Sequence, residues 1–267
     1  MINFKLNDFD KIRPVGQESN LFLSWYWLTD GEIWLSFGDN KLYEYSNEAI
    51  SYFGKENKYN SYFLVRFLED FMWLFKRIGE PVPDNLYDLT SNITSFLDNT
   101  QKWLNIYESD DEDEEYSDFY FEEYSKLTSW LFDRSFTSIE LIGGPTIFFI
   151  RSKDRIRIIW LSDETLENGI RLWTAANGSF EMDYSEFTNE VKNFGDTFFK
   201  QMERQVELAI AKEWGDVKID KTNLLKEQKL YQQEFDENYK NLTQNDIQST
   251  NWQEICLLYD RMLSEIK

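Results

Sequence analysis

At 267 residues the chain can build one substantial core, or one core with an appendix, and aromatic side chains at 18% imply an interior resting on rings that each bury roughly 150–250 Å². Forty-nine acidic against 28 basic residues leave a formal net charge of −21, with no histidine; such a surface repels nucleic acid and anionic membrane and attracts a basic protein, and the missing imidazole excludes Ser-His-Asp and Cys-His catalysis and histidine-ligated zinc. Cys256 is the single cysteine, no run of about 18 apolar residues occurs, and residues 1–5 lack the pattern of a secretion signal, which together predict a cytoplasmic protein.

The chain is organised around residues 23–35, where aromatic and aliphatic side chains alternate on both sides of Asp30-Gly31. Asp-Gly suits a type I′ turn, so two strands are expected to meet there. Leu21, Leu23, Trp25 and Trp27 would share one face of the first strand, and Ile33, Leu35 and Phe37 one face of the second. A third run, 41–46, follows the turn-forming pair Asp39-Asn40 and completes a first antiparallel meander. A helix then begins with Asn60 or Ser61 as its cap. Leu64, Phe67, Leu68, Phe71, Phe75 and Ile78 mark its buried face, and Gly79-Glu80-Pro81 stops it. A second helix is predicted over 86–107.

Residues 108–118 are densely acidic. Like charges this close repel, so the segment reads as a solvated loop. It lacks the glycine that an EF-hand requires at its sixth position, where Tyr116 stands if Asp111 is first, so it could hold calcium only weakly. A short helix is expected at 119–133. Strands follow at 136–142, 146–151, 155–161 and 169–175, with Asn177-Gly178 as a further hairpin signal before residues 179–182. This second meander either extends the first sheet or stands apart. Asp183 with Glu186 resembles a capping box opening the longest helix, whose apolar positions run from Tyr184 to Ile210 at three-four spacing. Two further amphipathic helices are predicted at 224–242 and 252–266, the last capped by Thr250 with Gln253. The fold class is α+β: antiparallel sheet or sheets from two meanders packed against several α-helices. Residues 1–214 form a single domain, and 215–267 a C-terminal helical extension.

Little in the sequence carries chemistry. Cys256 lies in an apolar helical face and reads as a small hydrophobe. Neither a Walker loop nor a Gly-x-Gly-x-x-Gly fingerprint is present, and no cofactor or metal is expected. Carboxylate pairs are plentiful, and ten tryptophans keep a hydrolase acting on a sugar-like substrate open, but Trp25, Trp27, Trp34, Trp160 and Trp173 fall in predicted strands and read as core. Arg151, Lys153, Arg155 and Arg157 form a basic hairpin that either grips an anion or the chain's own acidic loop, or is a solvated strand face.

Three groups of segments together resemble a bacterial family, domain of unknown function 5984. They are residues 23–31 with 42–46; residues 65–70 leading to Glu80-Pro81-Val82-Pro83-Asp84; and residues 172–175 with Gly178-Ser179-Phe180 and 187–191. The resemblance spans about 20 to 214, and the acidic insertion and the helices after 215 look like departures from it. Small acidic families of this kind are similar to immunity proteins, which neutralise a toxin delivered by a neighbouring cell. The resemblance therefore implies a binding protein whose partner is a cognate basic toxin, with no nucleic acid and no membrane, because an acidic inhibitor is steered quickly onto a basic surface. Asp110, Asp111, Glu112, Asp113, Glu114 and Glu115 are the candidate steering residues, and Tyr116, Phe119 and Tyr120 the candidate aromatic anchors. The alternatives are a carboxylate hydrolase, and a DNA mimic, which would need acids at phosphate-like spacing on a rigid face.

Overall fold

The computed structural model describes residues 1–17, 20–108, 114–137, 144–244 and 249–267. In chain order, β1 (Ile2–Leu6), β2 (Val15–Gln17), β3 (Asn20–Leu23), β4 (Asp30–Phe37) and β5 (Asn40–Leu42) precede α1 (Asn47–Phe53), β6 (Asn60–Phe63) and α2 (Leu64–Gly79). Next come α3 (Asp84–Leu89), α4 (Ile93–Tyr107), α5 (Glu114–Phe119) and α6 (Ser125–Phe132), then β7 (Ser135–Thr137), β8 (Thr146–Ser152), β9 (Arg155–Leu161) and β10 (Gly178–Asp183). The last elements are α7 (Tyr184–Ala211), β11 (Lys218–Ile219), α8 (Lys221–Thr243) and α9 (Trp252–Glu265).

β4 alternates as its sequence implies: Ile33, Leu35 and Phe37 are buried, and the residues between them are half-exposed. It is the centre of the first sheet, pairing antiparallel with β1, β5 and β6. The turn into β5 is Gly38-Asp39, where Gly38 has φ 57° and a side chain would be strained. Asp30-Gly31 makes no hairpin, which corrects the expectation. Asp30 is extended, and Gly31 lies inside β4, opposite Leu6 of β1 and Tyr62 of β6. A Cβ on Gly31 would stand 2.4 Å from the Lys5 carbonyl oxygen, so the glycine serves close strand approach rather than a turn.

What breaks the expected first strand is burial of its tryptophan. Residues 26–29 form a 3₁₀ turn closed by the Leu28 amide donating to the Trp25 carbonyl (3.0 Å). This seats Trp25 fully inside, stacked on Tyr231 at 4.5 Å, with its Nε1 donating to Gln228 Oε1 at 2.8 Å. β3 therefore ends at Leu23 and joins a third sheet, antiparallel to β2 and parallel to β11. Residues 60–63, expected to cap a helix, form β6; the helix starts at Leu64 and ends at Gly79 with all six predicted apolar positions buried.

The second sheet has the order β10-β9-β8-β7, all antiparallel, and is separate from the first. Residues 169–175 contribute only isolated bridges, and Asn177-Gly178 is not a hairpin turn. Gly178 begins β10 opposite Trp160, and Asn177 accepts the Ser162 amide through Oδ1 at 2.6 Å. The expected strand at 136–142 falls largely on residues outside those described; β7 covers its beginning.

This sheet is covered on both faces. Ile147, Phe149, Ile156, Ile158 and Trp160 enter one core with α2, α7 and α8, while Phe148, Ile150 and Ile159 enter a second core with α3, α4, α6 and α9. The single helix predicted at 86–107 is instead α3, a 3₁₀ turn and α4, which Asn92 caps by accepting the Ser95 amide. The acidic loop also ends sooner than expected, because helix begins at Glu114 and continues through a π-helical turn (residues 120–124) into α6. Asp183 precedes α7 without a side-chain cap and accepts Arg155 instead; α9 is capped by Asn251 rather than Thr250.

Residues 215–267 are woven into both cores: Leu224, Phe235 and Leu242 into the first, Ile255 and Met262 into the second. Their anchor is a buried ion pair. Glu80, at the end of α2, takes the Arg134 guanidinium at 3.2 Å and accepts the amides and hydroxyls of Ser249 and Thr250 at 2.7–3.1 Å, just before α9.

Candidate partner-binding surface

The surface containing the predicted site residues is built on α4, the helical run from Glu114 to Phe132, and α9. Arg261 of α9 fixes it. Its guanidinium pairs with Glu123 and with Glu265 (2.7 Å) and donates to the Tyr107 hydroxyl (2.9 Å), while Trp103 Nε1 donates to Glu265 at 2.6 Å. These bonds from Glu265 and Glu123 hold Arg261 well above the usual guanidinium range. Burial raises the Glu265 carboxyl, but bonds from Arg261, Trp103 and Tyr107 outweigh it and keep the group ionised.

Phe119 belongs to this interior. It is 5% exposed, stacked on Tyr107 with centroids 3.7 Å apart and edge-on to Trp103 at 4.8 Å, so it is not available as an anchor. Tyr116 and Tyr120 are half-buried and, with Tyr124, form a ladder of rings at 6.3 and 5.5 Å. Phe121 is exposed here, 68% accessible, edge-on to Tyr120 and flanked by the exposed carboxylates of Asp118 and Glu122; Phe132, at the end of the same run, is 47% accessible. Phe121 is not among the anchors predicted from sequence; its spacing of one turn from Asp118 is the available signal. Asp110, Asp111, Glu112 and Asp113 lie outside the described residues. Glu114 and Glu115 open α5.

The other candidates resolve differently. Arg155 and Arg157 are engaged within their own sheet. Both bond Glu181 of β10 (2.9 and 3.0 Å), and the Arg157 guanidinium lies 4.2 Å over the Tyr87 ring. Trp25, Trp160 and Trp173 are fully buried and form no exposed sugar platform. A cleft of about 580 Å³ is lined by one carboxylate, Asp154, with Arg151 and Lys153. Both cations are engaged: Arg151 donates to the Gly79 carbonyl (2.6 Å), and Lys153 pairs with Asp84 (2.5 Å). Among the described residues no three His, Cys, Asp or Glu side chains gather as metal ligands do, and no helix is long and apolar enough to cross a membrane. Glu164 is held above the usual carboxylate range by burial and by the charge of Asp163; Glu44, Glu80, Glu181 and Glu265 are held below it. Cys256 is half-buried, with the Asn85 amide 3.4 Å from its sulfur.

Fold and surface together define an α+β protein with two cores sharing a central sheet and an acidic, aromatic helical face. The chain matches the Family of unknown function (DUF5984) over residues 1–257, and it belongs to that family. The match takes in the acidic segment and α8, which the resemblance had placed outside it. No curated protein and no solved structure matches the chain.

Proposed function

We propose that this chain is a non-enzymatic, cytoplasmic, acidic binding protein: an immunity protein that binds and neutralises a cognate basic toxin of nuclease type. The observation that carries the reading is Phe121, a large apolar side chain left open to water between Asp118 and Glu122 on a helix fixed from behind by Arg261. An aromatic anchor flanked by two carboxylates fits a partner that is basic around an apolar pocket. The consecutive acids at 110–115 and the net charge of −21 supply long-range attraction to the same partner.

The test is co-expression of the tagged chain with the product of the adjacent upstream gene, followed by association kinetics. A basic partner is expected in fixed stoichiometry. Phe121→Ala should weaken binding by about 2 kcal/mol or more, roughly 30-fold, mainly through faster dissociation. Changing Asp110, Asp111, Glu112, Asp113, Glu114 and Glu115 to their amides should slow association and flatten its salt dependence. Recovery of no basic partner at low salt, or unchanged binding by Phe121→Ala, refutes the proposal.

A further inference from the structure

Many cations of this chain are paired: Arg155, Arg157, Lys192, Arg204 and Arg261 all hold carboxylates. Lys221, Lys226 and Lys229 differ. Among the described residues none of these three ammonium groups has an ion-pair or hydrogen-bond partner. They line an open groove of about 430 Å³ between the end of α7 and the start of α8, together with Ile210, Thr222 and Leu225, and no carboxylate lines it. The helical period produces the arrangement: positions 221, 225 and 229 stand one turn apart, as do 222 and 226. Leu225 is 50% exposed, so the lysines flank an uncovered apolar side chain.

This concentration of positive charge is locally unfavourable. Lys226 and Lys229 stand at i, i+3 and repel. An anionic occupant carrying an apolar group would relieve that repulsion and cover Leu225. The chain itself carries one: Asp110, Asp111, Glu112, Asp113, Glu114 and Glu115, followed by Tyr116.

We propose that the Lys221-Lys226-Lys229 groove takes up the 110–115 run of a second copy of this chain. The two surfaces differ, so the contact is head-to-tail and growth is open-ended unless a ring closes. Copies of net charge −21 repel at long range. Association is therefore expected near about 0.15 M salt, where a Debye length of roughly 8 Å screens that repulsion more than it screens direct contacts. The inference goes beyond toxin binding, and its test needs no toxin.

The test is sedimentation equilibrium of the full chain from about 10 to about 300 µM, a range suited to contacts of exposed charges. The weight-average mass should rise above 32.2 kDa with concentration. Lys221→Gln/Lys226→Gln/Lys229→Gln should lower the association constant at least tenfold, and so should the six-fold amide variant of residues 110–115. An equimolar mixture of the two variants should form a complex, since each retains the half the other lost. Lys5→Gln/Lys76→Gln/Lys102→Gln, which removes exposed lysines elsewhere, should associate as the parent does. Monomers at every concentration, association surviving in the lysine variant, or equal loss in the control overturns the proposal. Association surviving in the acid variant also overturns it, by giving the groove to another occupant.

Discussion

Replacing Glu80 by alanine should loosen the whole carboxyl-terminal part of the molecule. The Glu80 and Arg134 side chains are each 1% exposed, and the carboxylate accepts five hydrogen bonds: one from Arg134, two from Ser249 and two from Thr250. Burial alone would raise its pKa. The bonds from Thr250 and Ser249 and the charge of Arg134 outweigh that and hold the carboxyl below its ordinary 4.5. Removing it strands a buried guanidinium and two amides, and breaking such a pair costs about 3–5 kcal/mol. With a urea slope of roughly 3 kcal/mol/M for a chain of this size, the midpoint should fall by about 1–1.7 M. Hydrogen exchange should quicken first in α9, which follows directly from the bonded Thr250. Glu80→Leu/Arg134→Met, which removes both charges, should recover most of the loss. The pH dependence has a definite sign: for a depressed carboxyl the contribution is complete above pH 4.5 and is lost as pH falls below it. A midpoint shift below about 0.3 M for Glu80→Ala would falsify the assignment of this pair as the anchor of α9, since such a pair costs several kcal/mol to break. So would a double variant no more stable than the single one.

Gly31→Ala should cost about 1–3 kcal/mol by forcing β1 away from β4, because the new Cβ meets the backbone of Lys5 and Leu6 rather than a yielding side chain; an unchanged thermal midpoint counts against the close-approach argument. Tyr87, Tyr184 and Tyr231 are pushed up to about 12, in each case chiefly by burial. In ultraviolet titration these three should stay protonated through the transition of exposed phenols near pH 10, and their contribution to stability should fade as pH rises from 10 towards 12. A single step near pH 10 that ionises all 15 tyrosines with the fold intact contradicts this. Phe121→Ala should leave stability within about 0.5 kcal/mol, because the side chain faces water; a larger loss would mean that Phe121 supports the fold and is not held ready for a partner.

Local periodicity made much of the architecture legible in advance. The α2 face, the alternation along β4, the β8 and β9 strands and the long α7 are each dictated by neighbours two, three or four residues apart, which the sequence lists directly. The charge balance likewise singled out the acidic run, and its aromatic neighbourhood followed. Partner choice across the chain was not legible. Asp30-Gly31 carries a strong turn signature, yet Trp25 gains more from burial against Tyr231 and Gln228, some 200 residues away, than the segment would gain from a hairpin. The parallel pairing of β3 with β11, the Glu80–Arg134 pair across 54 residues, and the burial of Phe119 against Tyr107 all depend on the same long-range competition for dry surface. The open Phe121 and Leu225 are among the apolar side chains that this competition leaves uncovered. By itself the sequence determined the most strongly periodic helices and strands and what charge the chain carries. Tertiary structure decided which strands pair, which rings are spent on the core, and which remain for a partner, because burial is a property of the assembled whole.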